Sequence, residues 1–161
     1  MPSLIKVYRE CSSMDSRNAV VESLGWIGPA ASPAVQMLLE AAGNTNNQLR
    51  ASAVWTLGEI HASPGLCVPE LLRALHDADG WVQLSAAHAL GNYGKEARSA
   101  VPVLEALTLG GGASAKLGVD MQLTLEARRA LGKIDPKSGP ATFELWPEPG
   151  FRGVETPLGP R

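Results

Sequence analysis

Residues Gln48 to His61, QLRASAVWTLGEIH, decide the fold, because their skeleton returns three more times along the chain. Each copy is an alanine-rich segment that closes on a leucine-glycine pair. The four closures are Leu24-Gly25-Trp26-Ile27, Leu57-Gly58-Glu59-Ile60, Leu90-Gly91-Asn92-Tyr93 and Leu131-Gly132-Lys133-Ile134. The first three stand 33 residues apart and the fourth follows after 41. A fixed period in this range marks a solenoid, whose units cannot bury their apolar faces alone and must stack.

Between the copies lie shorter helical segments, opening at Pro33-Ala34-Val35-Gln36, Val68-Pro69-Glu70-Leu71 and Val101-Pro102-Val103-Leu104. Pro69 and Pro102 read as first-turn prolines, where the missing N–H has no helical partner to lose. A truncated opening helix, about Leu4 to Cys11, pairs with the first long one. Asn44 and Asn46 precede one long helix and Asp77 and Asp79 the next, side chains that accept from the free N–H groups of a first turn. The long helices end near glycines: Gly28, Gly94 and, after a longer turn, Gly65. Leu109 to Lys116, with three consecutive glycines, reads as the surface loop that lengthens the last interval. The expected fold is all-α, a solenoid of about four helix pairs over residues 1–135, followed by an irregular Pro/Gly-rich tail, 136–161.

Composition narrows the function classes. The chain is 45% hydrophobic but only 5% aromatic, so its core is built from Ala, Leu and Val. A net charge of −2 argues against a phosphate-binding surface, which needs a basic excess. Cys11 and Cys67 sit in different repeats and form no metal-ligand spacing, and they read as free thiols of a helical core. The N-terminus meets Lys6, Arg9 and Glu10 before an apolar segment can form, and no apolar stretch approaches membrane-spanning length. Cytoplasmic residence is the expectation.

Stepping 100° per residue from each closing leucine places the residues three, four and seven earlier on the buried face. Small residues dominate there, with Arg17 and Arg50 at one edge, where a guanidinium can reach a turn carbonyl or an acid. Positions two before and two after the leucine, with those five and nine before, point the opposite way. They hold Glu22, Trp26, Trp55, Glu59, Trp81, His88, Asn92, Arg129 and Lys133. Large apolar anchors among polar groups are what a groove for a protein or peptide needs. His88 reads as a solvent-facing or groove histidine, and Glu126, Arg128 and Arg129 as an ordinary solvated helix face. In the tail, Phe143, Trp146 and Phe151 either fold over the last helix pair or dock on another chain.

The period, the paired helices and the phrases LGWIGPAA (24–31) and AAHALG (86–91) resemble HEAT-like repeats, in particular the phycobilisome-lyase subtype. The resemblance covers about residues 4–135. It implies a right-handed superhelix that acts as a scaffold or adaptor for another protein or peptide, as a subunit of a larger assembly, without a catalytic group, cofactor or metal. It also implies an alternative, a bilin-lyase-like or other small-molecule enzyme. The His-Glu dipeptides of HEAT-like di-iron hydroxylases are missing, since His61, His76 and His88 are followed by Ala, Asp and Ala. Trp55, Glu59 and Trp81 imitate part of a HEAT-like DNA glycosylase groove, but the charge balance does not.

Overall fold

The computed structural model describes residues 2–108 and 117–136, and their secondary structure is helical throughout. Eight α-helices follow in chain order: α1 (Pro2–Glu10), α2 (Met14–Ile27), α3 (Val35–Ala42), α4 (Asn47–Ile60), α5 (Pro64–Ala74), α6 (Gly80–Tyr93), α7 (Val101–Thr108) and α8 (Leu117–Ile134). Each odd-numbered helix lies against the even-numbered helix that follows it. The even-numbered helices pack side by side, α2 on α4, α4 on α6, α6 on α8. This is the stacked, all-α solenoid that the repeat demands. The loop read at Leu109 to Lys116, and the tail with Phe143, Trp146 and Phe151, lie outside the described residues.

The closing leucines form the spine of the core. Leu24, Leu57, Leu90 and Leu131 are all buried, with Val20, Val21, Ala53, Val54, Ala86, Ala87 and Ala127 from the predicted stripe around them. The glycine beside each of the first three leucines seats the next repeat. A methyl group at Gly25 would stand 2.5 Å from Cζ3 of Trp55, one at Gly58 would stand 2.6 Å from Cα of Ala89, and one at Gly91 would stand 3.1 Å from Cα of Ala130. Glycine costs about 1 kcal/mol in a helix interior, and the close approach of helix backbones offsets it.

Residues seven before each of the first three leucines tie the turns down in one recurring way. Arg17 Nε donates to the Cys11 carbonyl (2.9 Å), Arg50 Nη1 to that of Asn44 (3.0 Å) and Gln83 Nε2 to that of Asp77 (2.8 Å), each six residues back. Arg50 also makes a bidentate pair with Asp77 of the next repeat, Nε to Oδ2 at 2.9 Å and Nη2 to Oδ1 at 2.8 Å. The turns before α4 and α6 share their capping chemistry. Asn44 Oδ1 accepts from the Asn46 N–H and Asn46 Oδ1 from that of Leu49, while Asp77 Oδ1 accepts from Asp79 and Asp79 Oδ1 from Trp81.

The middle unit departs from the expected turn. Gly28 and Gly94 take positive φ (68° and 53°) and lead into short 3-10 segments, Gly28–Ala34 and Gly94–Ala100. After α4 the left-handed positions are instead His61 (φ 49°) and Ser63 (φ 51°), which are not glycines. Helix α5 then starts at once on Pro64, so Gly65 lies within its first turn and Pro69 inside the helix rather than at its start. The N–H that Pro69 lacks would have met the carbonyl of Gly65, close to the helix end. Pro102, the second residue of α7, sits in the first turn as its sequence predicts.

Candidate functional site

The outward face of the even-numbered helices is hollowed into two adjoining cavities that share Trp55, Trp81 and Ser85 as a common wall. The first, about 480 Å³, is bounded by Trp26, Trp55 and Trp81, with Glu22 and Asp79 among its polar groups. Gln48, Ser52 and Ser85 from the same face, with Asn47 and Ala51 beside them, complete its lining. The three indoles come from three successive repeats, near the end of α2, the middle of α4 and the start of α6, and so run diagonally across the stack. Trp26 is 84% exposed and Trp81 56% exposed, a large apolar surface left open by the fold. Trp55 is half-buried: its ring lies over Gly25 and meets Trp26 edge-on, with ring centroids 6.3 Å apart and planes inclined by 62°.

Asp79 and Asn47 join two helix starts at the rim of this cavity. Asn47 Nδ2 donates to Asp79 Oδ2 at 2.7 Å, while Asp79 Oδ1 caps α6 through the N–H groups of Trp81 and Val82. The Asn47 hydrogen bond, helped by those two backbone donors, holds the Asp79 carboxyl below its ordinary range despite partial burial. Glu22 is exposed and takes a hydrogen bond from Asn18 Nδ2 on Oε1 at 2.8 Å.

The second cavity, about 460 Å³, is bounded by Trp55, Trp81, Leu84, His88, Leu125 and Arg129, with Gln122 and Glu126. A polar network reaches it through His88, Glu126 and Arg129. His88 Nδ1 stands 3.0 Å from Glu126 Oε1, and its Nε2 stands 3.1 Å from Glu59 Oε1, so one ring links carboxylates of α4 and α8. Asn92 Nδ2 donates to Glu59 Oε1 at 3.2 Å, and Lys133 Nζ donates to Asn92 Oδ1 at 3.1 Å. Arg129 Nη1 donates to Glu126 Oε2 at 3.3 Å. Among the described residues no cluster of three or more His, Cys, Asp or Glu side chains has the arrangement to hold a metal ion.

All nine residues of the expected face therefore lie on one side of the stack, but in two groups. Trp26, Trp55, Trp81 and Glu22 border the first cavity, whereas Glu59, His88, Asn92, Arg129 and Lys133 are held together by the polar network. Glu126 departs from the solvated face expected of it: its side chain is 15% exposed and is shared by His88 and Arg129. The periodic reading also passed over Ala51, Leu84 and Leu125, which occupy one equivalent place in three repeats and line the cavities. Leucine twice at a position outside the core stripe was the available signal. Arg17 and Arg50, in contrast, serve the turns as their position on the helix edge predicts.

The cysteines take no part in this face. Cys67 is buried, where desolvation raises its thiol above the usual range, and Cys11 is half-buried; both are free. Tyr93, beside Cys67, is likewise buried, and desolvation pushes its phenol well above the ordinary value. Its hydroxyl donates to the Ala62 carbonyl at 2.8 Å, tying α6 to the turn after α4.

Comparison with known proteins adds one match. Residues 35–112 fit the family model described as HEAT repeats. No curated protein matches the chain. The matched segment covers the middle of the stack; the same leucine-glycine seat occurs before it, at Gly25, and joins it to α8 through Gly91. Sequence period, helix pairing and family model agree: the chain is a HEAT-like repeat protein.

Proposed function

We propose that this chain is a non-catalytic adaptor that binds another protein through the hollowed face of α2, α4, α6 and α8. HEAT repeats commonly serve as protein-interaction scaffolds, and this stack carries the means to do so. The observation that carries the reading is the indole row. Trp26 and Trp81 remain 84% and 56% exposed on either side of Trp55, in a cavity of about 480 Å³. Exposed tryptophans grouped in a concavity are the anchors around which interface hot spots form. No helix among the described residues is long and apolar enough to cross a membrane. Two free thiols in a chain with no disulfide suit a reducing compartment, and we place the adaptor in the cytoplasm.

Trp55→Ala tests the reading. It should weaken capture of the native partner by about 2 kcal/mol or more while helicity is retained. Collapse of the fold in that variant, or unchanged capture, would remove the groove from the mechanism. The control is Leu57→Ala, which opens a cavity in the core and should cost about 2–5 kcal/mol of stability. A bilin-lyase-like activity would instead require an enclosed chromophore pocket beside Trp81 and His88. The cavity there is walled by Trp81 and Leu125, which stay 56% and 45% exposed, so it is a surface trough. Incubation with open-chain tetrapyrroles should accordingly leave their absorbance unchanged.

A further inference from the structure

We propose that the hollow bounded by Trp26, Trp55 and Trp81 receives an arginine or lysine side chain presented on an extended segment of the partner protein. This rests on the adaptor reading above and adds the chemistry of the partner.

The first argument is charge. Among the described residues, the lining of this hollow contains two carboxylates, Glu22 and Asp79, and no lysine, arginine or histidine. Asp79 is held in its ionised form by Asn47 and the start of α6, so its charge persists through the neutral range. Three cations of α4 and α8 are committed to other partners. Arg50 is bound to Asp77 and to two turn carbonyls, Arg129 to Glu126, and Lys133 to Asn92. At the α8 end, in contrast, Arg129 and Lys133 stand in one network with Glu59 and Glu126. An acidic side chain placed among the indoles would meet two like charges. A basic one would meet two opposite charges.

The second argument is the aromatic surface. The face of an indole carries negative electrostatic potential, and tryptophan attracts a cation over its ring more strongly than the other aromatic side chains. Here three such rings line one hollow, and the planes of Trp26 and Trp55 are inclined by 62° to each other. A guanidinium can stack on one indole while its N–H groups reach a carboxylate.

The third argument is size and the neutral polar groups. A hollow of about 480 Å³ exceeds what a single side chain fills. Around the indoles stand the amides of Asn47 and Gln48 and the hydroxyls of Ser52 and Ser85. Such groups donate to and accept from a peptide backbone. The occupant is thus a chain segment with a basic side chain, rather than a small free cation.

The test is an NMR titration of the full chain with the peptide acetyl-Gly-Gly-Arg-Gly-Gly-amide, its citrulline and glutamate counterparts, and guanidinium chloride alone. The arginine peptide should shift the indole N–H signals of Trp26, Trp55 and Trp81 and saturate. The citrulline peptide, of the same shape without the charge, should bind about tenfold more weakly. The double variant Glu22→Gln, Asp79→Asn should erase that difference with helicity intact, because asparagine still caps α6. Equal binding of arginine and citrulline peptides, or tighter binding of the glutamate peptide, would overturn the basic partner and leave the groove itself standing. Guanidinium alone binding as tightly as the peptide would overturn the chain-borne source. Absence of any shift with the arginine peptide would overturn the assignment outright. Capture of the native partner by Trp55→Ala reports separately on the adaptor reading, so each can fail alone.

Discussion

Gly58 and Ala89 are pressed so closely together that a methyl group added to Gly58 would stand 2.6 Å from the Cα of Ala89 and 2.7 Å from its Cβ. The contact joins α4 to α6 backbone to backbone. The corresponding glycine of the last repeat, Gly132, has nothing among the described residues within 4 Å of the same added atom. One motif therefore has opposite sensitivities at its two occurrences. Gly58→Ala gains about 1 kcal/mol of helix propensity but must shift a backbone, an overpacking cost of about 1–3 kcal/mol, and should be destabilising. Ala89→Gly should not rescue it, because the Cα remains. Gly132→Ala should raise stability by about 0.5–1 kcal/mol. Urea unfolding of the three variants decides the matter.

Arg50 and Asp77 bind bidentately across two repeats, with both side chains only 17% exposed. Partial burial opposes the Asp77 charge, but the guanidinium and the Asp79 N–H overcome it and hold the carboxyl below its ordinary value of 3.8. Because the folded value is the lower one, the stabilisation is complete above the unfolded value and is lost as pH falls through the folded one. The wild-type urea midpoint should accordingly hold from neutral pH down to about pH 5 and fall below about pH 4. Asp77→Asn should be less stable at pH 7, by about 1.5–3 kcal/mol for hydrogen bonds to a charged group, and should show a shallower fall in acid. An identical acid profile in the variant would place the pH dependence elsewhere.

His88 holds Glu59 and Glu126 through its two ring nitrogens, 3.1 Å and 3.0 Å away. Removing the ring leaves Glu59 with Asn92 and Glu126 with Arg129 as donors. His88→Ala should cost about 1–3 kcal/mol, the penalty for polar groups that lose a partner in a half-buried site. A double-mutant cycle with Glu126→Ala should give a coupling of about 0.5–1.5 kcal/mol. A coupling near zero would mean that the ring and the carboxylate act independently.

The sequence showed most plainly what repeats within the chain. A leucine followed by glycine at a fixed interval has few physical explanations, and the buried leucines and seated glycines are the one that the stack uses. The capping residues were legible for the same reason, since Asn44-Thr45-Asn46 and Asp77-Ala78-Asp79 repeat one hydrogen-bonding scheme in two units. The start of α5 was not. Val68-Pro69 aligns with Val101-Pro102, but its helix begins earlier because Pro64 follows two left-handed residues, His61 and Ser63, that sequence gives little reason to expect. The role of Glu126 was hidden for a different reason. Its partner His88 is 38 residues away on the neighbouring helix, and an exposed helix face looks the same on paper whether or not a neighbour reaches it.

The edge-on pairing of Trp26 with Trp55 also has an optical consequence. Two indoles 6.3 Å apart and inclined by 62° lie close enough for their strong ultraviolet transitions to couple, which splits the dichroism band into paired lobes of opposite sign. Whatever wedges between them or turns either ring changes the sign or size of that splitting. The molecule thus carries an intrinsic chiroptical gauge, and no dye need be attached to follow it.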